Sequence, residues 1–477
     1  MRSMNEDPLA LLPELCLLAG AVIGLLVGLF LPRRRQWLVR LVAIAALVAG
    51  IAAALAGMSR PGEPVFDGSY TVDLGLGVVR VVVLASTLLT ICLSVDSVAR
   101  HRRETEFYVL LLLGALGSVA LAGASDLMLL AAAYLLASVP LYALAGFGKD
   151  QLGTEAALKY YLMGALLGVV MLMGVAVLYG VGGATTYGEV RQTIGSAPHG
   201  AVAVGLVCLL AGLLFKTGAV PAHFWVPDVT EGASAPVAAF VTTVPKIGAL
   251  FALYRLFTDA LAPVSVDWPL LIAVIATASM TLGNLAAFFQ ESPRRLLAYS
   301  TISQVGYLLL PVATAGRSDL AFDGLVFYLA AYAVTNLGAF AVVAELPRAR
   351  RLRDFGGLFH RDRWLALALV VCLLGLIGTP PTSVFVGKLT VFSAALDGGF
   401  GWLAVVAVAN TVASVFYYLR WIAPLFLRAP ADAPLDALQP AGDWARVSAY
   451  TAGLASILLG LASGLVLTRL TNLGPGM

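Results

Sequence analysis

Apolar runs recur along the whole chain, each close to the roughly 20 residues an α-helix needs to cross the hydrocarbon of a bilayer. They lack the alternation of lipid-facing and lumen-facing residues that marks a barrel strand. Fourteen spans are expected, at roughly 9–31, 37–57, 74–95, 107–125, 126–147, 154–180, 200–219, 236–258, 268–290, 294–316, 321–346, 364–396 (interrupted), 401–426 and 446–470. Too few basic residues precede the first span, and no small-residue cleavage site follows it, for a removable signal, so it is expected to stay as a helix.

The polar links between spans alternate in charge. Arg33, Arg34 and Arg35 follow the first span, Arg100, Arg102 and Arg103 the third, Lys149 the fifth, and Arg294 and Arg295 the ninth. Arg348, Arg350, Arg351, Arg353, Arg361 and Arg363 follow the eleventh, whereas the opposite links, such as Arg60–Asp73 and Val181–His199, are poor in basic residues. Basic loops face the cytoplasm. Odd-numbered spans therefore exit inward, and both termini are expected outside.

Composition agrees with a polytopic helical membrane protein. Of 477 residues 60% are hydrophobic and 12% charged, against about 25% charged in soluble domains. Lipid admits only helices or closed barrels, because backbone polar groups find no water there. Cys16, Cys92, Cys208 and Cys372 lie far apart in apolar runs, with no metal or cluster spacing, and read as buried, inert thiols. Gly387-Lys388 is not a phosphate loop, since Thr382 stands where that pattern needs glycine. HExxH, GxSxG and dinucleotide-binding glycine patterns are absent from the sequence.

Lysine usage changes the picture. The chain has 30 Lys and Arg, of which only Lys149, Lys159, Lys216, Lys246 and Lys388 are lysines. Three of these five, Lys216, Lys246 and Lys388, lie inside apolar runs, whereas the arginines crowd the loops. A lysine at the bilayer centre costs about 2.5–3.5 kcal/mol on insertion scales. Arginine keeps its proton in proteins and lysine can release one, so lysine at membrane depth points to proton exchange. The alternative is a lysine that tethers two helices by bonding backbone carbonyls.

Two of the lysine-bearing runs also break. KTGAVPAHF (Lys216–Phe224) and LIGTPPTSVF (Leu376–Phe385) share glycine and proline at the same spacing, Gly218 with Pro221 and Gly378 with Pro381. Proline removes a backbone N–H and opens the helix, which at membrane depth requires protein or water to satisfy the freed groups. The two breaks fall in spans of opposite polarity, five apart, as an inverted repeat requires. The expected fold class is an all-α membrane protein of about fourteen helices, with helices 7 and 12 discontinuous.

Other charges are candidates of lower rank. His223 either joins a proton route or bonds the opened backbone; Asp228 and Glu231 read as loop residues near the break. Glu155 and Lys159, four residues apart, fit a helical ion pair at the start of span six. Glu14 is expected to be partly solvated near the outer surface, and Glu345 to meet the basic loop after it. Asp126 opens span five as a cap or an outer proton port.

The stretches FKTGAVPAHFWVPDVTEGASAPV, PKIGALF, RRLLAYSTISQVGYLLL (Arg294–Leu310) and TPPTSVFVGKL resemble subunit N of bacterial proton-pumping NADH–quinone oxidoreductase, respiratory complex I. The resemblance runs from about span four to span thirteen. It implies an N-terminal unit of three helices (1–106), two inverted five-helix, antiporter-like repeats at 107–258 and 268–426, and a last helix in 446–477. It also implies proton transfer at Lys216, Lys246 and Lys388, with His223, Gln304, Glu155 and Lys159 as further site candidates. Neighbours would be M-like and K/J-like membrane subunits. NAD, flavin, iron–sulfur clusters and quinone belong to partner subunits, with no cofactor and no metal in this chain. Two positions depart from the family pattern: Leu135 stands where a glutamate partner of Lys216 is expected, and Gln304 where many relatives carry histidine. Without that glutamate, Lys216 is expected either to sit unprotonated more often or to pair with another group such as Asp126 or Glu155. The alternatives are a subunit of an Mrp-type cation/proton antiporter or membrane-bound hydrogenase of the same fold, or a structural copy that no longer pumps.

Overall fold

The computed structural model describes residues 7–58, 63–99, 101–428 and 436–473. Arg60 and Arg100, which entered the loop-charge argument, and the tail 474–477 lie outside the described residues. The chain begins with α1 (Leu12–Phe30) and α2 (Trp37–Gly57), then a short hairpin of β1 (Glu63–Val65) and β2 (Tyr70–Val72). There follow α3 (Leu74–Val98), α4 (Glu104–Gly123), α5 (Leu127–Leu136), α6 (Val139–Ala145), α7 (Gln151–Gly182) and α8 (Tyr187–Thr193). The middle holds α9 (His199–Thr217), α10 (Trp225–Gly232), α11 (Ala235–Arg255), α12 (Trp268–Ala287), α13 (Pro293–Leu308), α14 (Leu310–Ala313) and α15 (Leu320–Glu345). After α16 (Leu358–Arg361) come α17 (Arg363–Ile377), α18 (Ser383–Asp397), α19 (Gly401–Phe426), α20 (Trp444–Leu461) and α21 (Ser463–Leu473).

Among the described residues twelve helices are long and apolar enough to cross a membrane, or thirteen if the bent pair α20–α21 is one span. α17 and α18, of 15 residues each, are too short singly; the fourteenth span was expected from these two taken together.

Both expected breaks are present. α9 and α17 end on Gly218 (φ 75°) and Gly378 (φ 90°), whose left-handed backbone suits a residue with no Cβ. The helix resumes only beyond Pro221 and Pro381, at α10 and α18. Further interruptions were not expected. Pro140 supplies no N–H to Leu136, and span five divides into α5 and α6. Span ten divides at Leu309, two residues before Pro311, and the last span bends by 63° between α20 and α21. Pro245 does not end α11, which stays helical around it.

Burial is graded from the centre outward. α11 is buried along its whole length, and α13–α14 and α15 nearly so, whereas two thirds of the apolar stretch of α1, α2 and α7 is not buried. Leu29 and Phe30 on α1, Leu55 on α2 and Val169 on α7 are exposed as a lipid-facing surface requires. Polar side chains on α11, α13 and α15 are thus enclosed by other helices, where a partner can offset their burial.

Two end-of-span carboxylates differ from expectation. Glu14 is buried, because Arg80 of α3 donates to it at 2.9 Å through Nε and Nη2 and the Tyr70 hydroxyl at 2.6 Å. Glu345 is also buried and accepts from Arg446 of α20 at 3.0 Å, not from the basic loop that follows it in sequence. Of the cysteines only Cys372 is fully buried; Cys16, Cys92 and Cys208 are half-buried in the isolated chain.

Candidate functional site

Lys216 stands on the last turn of α9, two residues before the break, and is 1% exposed. Its ammonium donates to the Ala137 carbonyl at 3.0 Å and to Ser138 Oγ at 2.5 Å, and lies 5.1 Å from the Tyr134 ring centre. The α5–α6 break supplies these partners. The Leu141 N–H, which an unbroken helix would give to Ala137, bonds the Ser138 carbonyl instead and leaves that of Ala137 for Lys216. Carboxylates are missing from this shell among the described residues. Asp126 caps α5 by accepting from Met128 and Leu129 N–H, and Glu155 pairs with Lys159 at 2.7 Å. Neither replaces the expected glutamate. Leu135 lies next to Tyr134 on α5 and is 47% exposed.

Lys246 is fully buried near the middle of α11, and its Nζ has no hydrogen-bond partner among the described residues. It points at the first break. A Cβ on Gly218 would come within 3.1 Å of Nζ, and the Trp225 ring centre is 6.0 Å away. Trp225 in turn donates Nε1–H at 2.9 Å to the Phe215 carbonyl, which also accepts from the Gly218 N–H at 3.1 Å, and stacks on Tyr160. His223 lies within the break, 6% exposed, with Nδ1 lacking a partner among the described residues.

A run of polar side chains continues from α11 into the second half. Thr242 and Thr243, one helical turn before Lys246, accept from Asn336 of α15 at 3.3 and 2.9 Å. The Tyr332 hydroxyl donates to the Thr242 carbonyl at 2.9 Å and bonds Thr301 of α13 at 3.1 Å. One turn further on α13, Gln304 accepts from Tyr328 at 2.5 Å and donates to the Leu376 carbonyl at 2.8 Å. Leu376 and Ile377 are the last residues of α17, and Lys388 of α18 donates to their carbonyls at 3.3 and 2.9 Å. Lys388 is 3% exposed and sits 4.2 Å over the Tyr307 ring. The two breaks therefore present their open ends to lysines: Lys246 faces the first, and Lys388 bonds the second.

Backbone bonding of the kind a tether would make is present at Lys216 and Lys388 and not at Lys246. Lys159 and Glu155 are roughly half exposed and, with Asp228 and Arg295, tie α7, α10 and α13 together at one end of the bundle. Glu231 closes α10 and accepts from Ser292 at 2.6 Å. Sequence reasoning passed over Ser138, Tyr307, Tyr328, Tyr332 and Asn336. The signal was available: Tyr328, Tyr332 and Asn336 recur every fourth residue within an apolar run, which places them on one face. It also passed over Arg255, which is buried at the end of α11 and bonds Asp73 at 2.7 Å in the wall of a cavity of about 750 Å³.

A protein family described as "NADH:quinone oxidoreductase/Mrp antiporter, TM" matches residues 124–414, a stretch that contains all three buried lysines. Broken spans and buried lysines inside a helical membrane bundle thus place the chain in the antiporter-like class. NADH-quinone oxidoreductase subunit N 1 of Streptomyces griseus is 57% identical over 468 residues, covering 98% of each chain. Subunit N of a Mycobacterium species is 51% identical over 460 residues, covering 96% of this chain and 97% of that one. A chain of respiratory complex I from Thermus thermophilus, solved with bound aureothin, superimposes with a TM-score of 0.82 at 33% identity, covering 96% of this chain and 98% of its own. A chain of the Mrp complex of a Dietzia species shares the fold, with a TM-score of 0.83 at 24% identity over 98% of this chain and 97% of its own. The chain belongs to the NADH-quinone oxidoreductase subunit N family and is a multi-pass membrane subunit of complex I, working among other membrane subunits.

Proposed function

We propose that this chain moves protons across the membrane through Lys216, Lys246 and Lys388, driven by quinone reduction in other subunits of the complex. The observation that carries the reading is Lys246: a lysine with no exposed surface, on a helix buried throughout, with no hydrogen-bond partner for its Nζ among the described residues. A purely structural lysine would be expected to bond backbone carbonyls, because an unsatisfied buried polar group costs stability. The polar run from Thr242 through Asn336, Tyr332 and Thr301 to Gln304 supports a lateral link from Lys246 to the second break, where it ends on the Leu376 carbonyl, and His223 supports an approach through the first break. The two halves, 107–258 and 268–426, act as inverted repeats, and both termini lie outside a bacterial plasma membrane. NAD, flavin, iron–sulfur clusters and quinone sit in partner subunits.

The test is Lys246→Met in the assembled complex, reconstituted in vesicles. Electron transfer from NADH to quinone shows that the complex is intact; proton uptake measured in the same vesicles is expected to fall. Normal stoichiometry would refute the reading. The neutral shell of Lys216 favours a second reading, in which this copy has lost part of its pumping. Leu135→Glu distinguishes the two, since a rise in protons moved per electron belongs only to the second.

A further inference from the structure

Hydrogen bonds around Lys388 have a direction, and the direction divides its surroundings in two. Toward the core, Tyr328 donates to Gln304 and Gln304 donates to the Leu376 carbonyl, while Lys388 donates to that same carbonyl from the other side. A carbonyl has no proton to hand on, so the two approaches meet on an acceptor and that arm ends there. Away from the core, Lys388 Nζ donates to Thr411 Oγ1 of α19 at 3.5 Å, and Thr411 donates to the Tyr307 hydroxyl at 3.3 Å. Hydroxyls both accept and donate. Tyr307 also presents its ring to the ammonium at 4.2 Å and is itself buried, while Thr411 is only half-buried. This second arm passes through the half-buried Thr411 and ends on the buried Tyr307.

We infer that Thr411 and Tyr307 are the proton-transfer partners of Lys388, and that Gln304 is a positioning residue which fixes the open end of α17. The inference rests on the proposed role of Lys388. In the transfer, an N–H bond of Lys388 breaks and an O–H bond forms at Thr411, while Thr411 passes its own hydroxyl proton to Tyr307. The step requires a water molecule to reach the buried Tyr307 hydroxyl in the working complex and take its former proton, and Lys388 is left as the neutral amine. The long distances are those of a resting site, in which catalytic hydrogen bonds are often loose. Gln304 keeps the Leu376 and Ile377 carbonyls turned to Lys388, so that the ammonium remains within reach of Thr411.

The experiment compares Thr411→Val, Thr411→Ser and Lys388→Met in the whole complex in vesicles, reading protons moved per electron alongside NADH–quinone electron transfer. Thr411→Val keeps the shape and removes the hydroxyl; it is expected to lose most of the pumping, and Thr411→Ser to retain it. Thr411→Val pumping as wild type, with Lys388→Met inactive, overturns this inference and leaves the lysine reading standing. Thr411→Ser failing as badly as Thr411→Val overturns it too, because packing would then explain the loss. If Lys388→Met itself pumps normally, the underlying reading fails, and the inference with it.

Discussion

Gly378 offers a way to disturb Lys388 without touching its charge. The residue ends α17 at φ 90°, and a Cβ there would lie 2.9 Å from Lys388 Cδ and 3.7 Å from Cε. Alanine at such a φ costs about 1–2 kcal/mol in backbone strain. In addition the lysine stem must move, which loosens its bonds to the Leu376 and Ile377 carbonyls at 3.3 and 2.9 Å. A hydrogen bond to a charged group is worth about 1.5–3 kcal/mol, so losing one lowers occupancy of the placed ammonium by roughly tenfold or more. Gly316 is a matched control: its φ is 71°, but a Cβ there would meet nothing within 4 Å. Gly316→Ala therefore carries the backbone cost alone. The assay is the proton-to-electron ratio of the reconstituted complex, with electron transfer as the check on assembly. Gly378→Ala is expected to remove most of this chain's share of the ratio and Gly316→Ala to leave it near wild type. Equal ratios in the two variants would refute the argument that the second break exists to place Lys388.

Other expectations follow from the buried partners. Ser138→Ala removes the shortest hydrogen bond of Lys216 and weakens its placement by about 1.5–3 kcal/mol; a proton ratio unchanged in this variant would take Lys216 off the route. Glu14→Gln leaves Arg80 buried beside a neutral partner, and breaking a buried pair costs about 3–5 kcal/mol. That loss should appear as a lower thermal midpoint of the assembled complex, largely recovered in Glu14→Leu with Arg80→Met. A Glu14→Gln midpoint equal to wild type would mean that the pair does not hold α1 to α3.

The spans were legible because a lipid-facing helix has to be apolar for its whole length, and the runs in the sequence follow α1 to α4 within a few residues. The breaks at Pro221 and Pro381 were legible because glycine and proline fall together beside a lysine. Pro140 and Pro311 lie in equally apolar runs without such a lysine, and their interruptions passed unnoticed although the same missing N–H causes them. Long-range pairing was hidden. Glu14 and Arg80 are 66 residues apart, and Glu345 and Arg446 are 101 apart, so neither the burial of these carboxylates nor their partners could be read from neighbouring residues. The shell of Lys216 was hidden for a different reason: one of its partners is a backbone carbonyl, which leaves no residue-type signal at all.

The central claim is that Lys246 must be able to give up its proton, not only to carry a charge. Lys246→Arg separates the two, since arginine keeps the positive charge and does not release its proton in proteins. Proton uptake per electron should be measured for this variant in vesicles in which NADH–quinone electron transfer persists. The account predicts that this chain's share of the uptake is lost, as in Lys246→Met; wild-type uptake with arginine in place would contradict it.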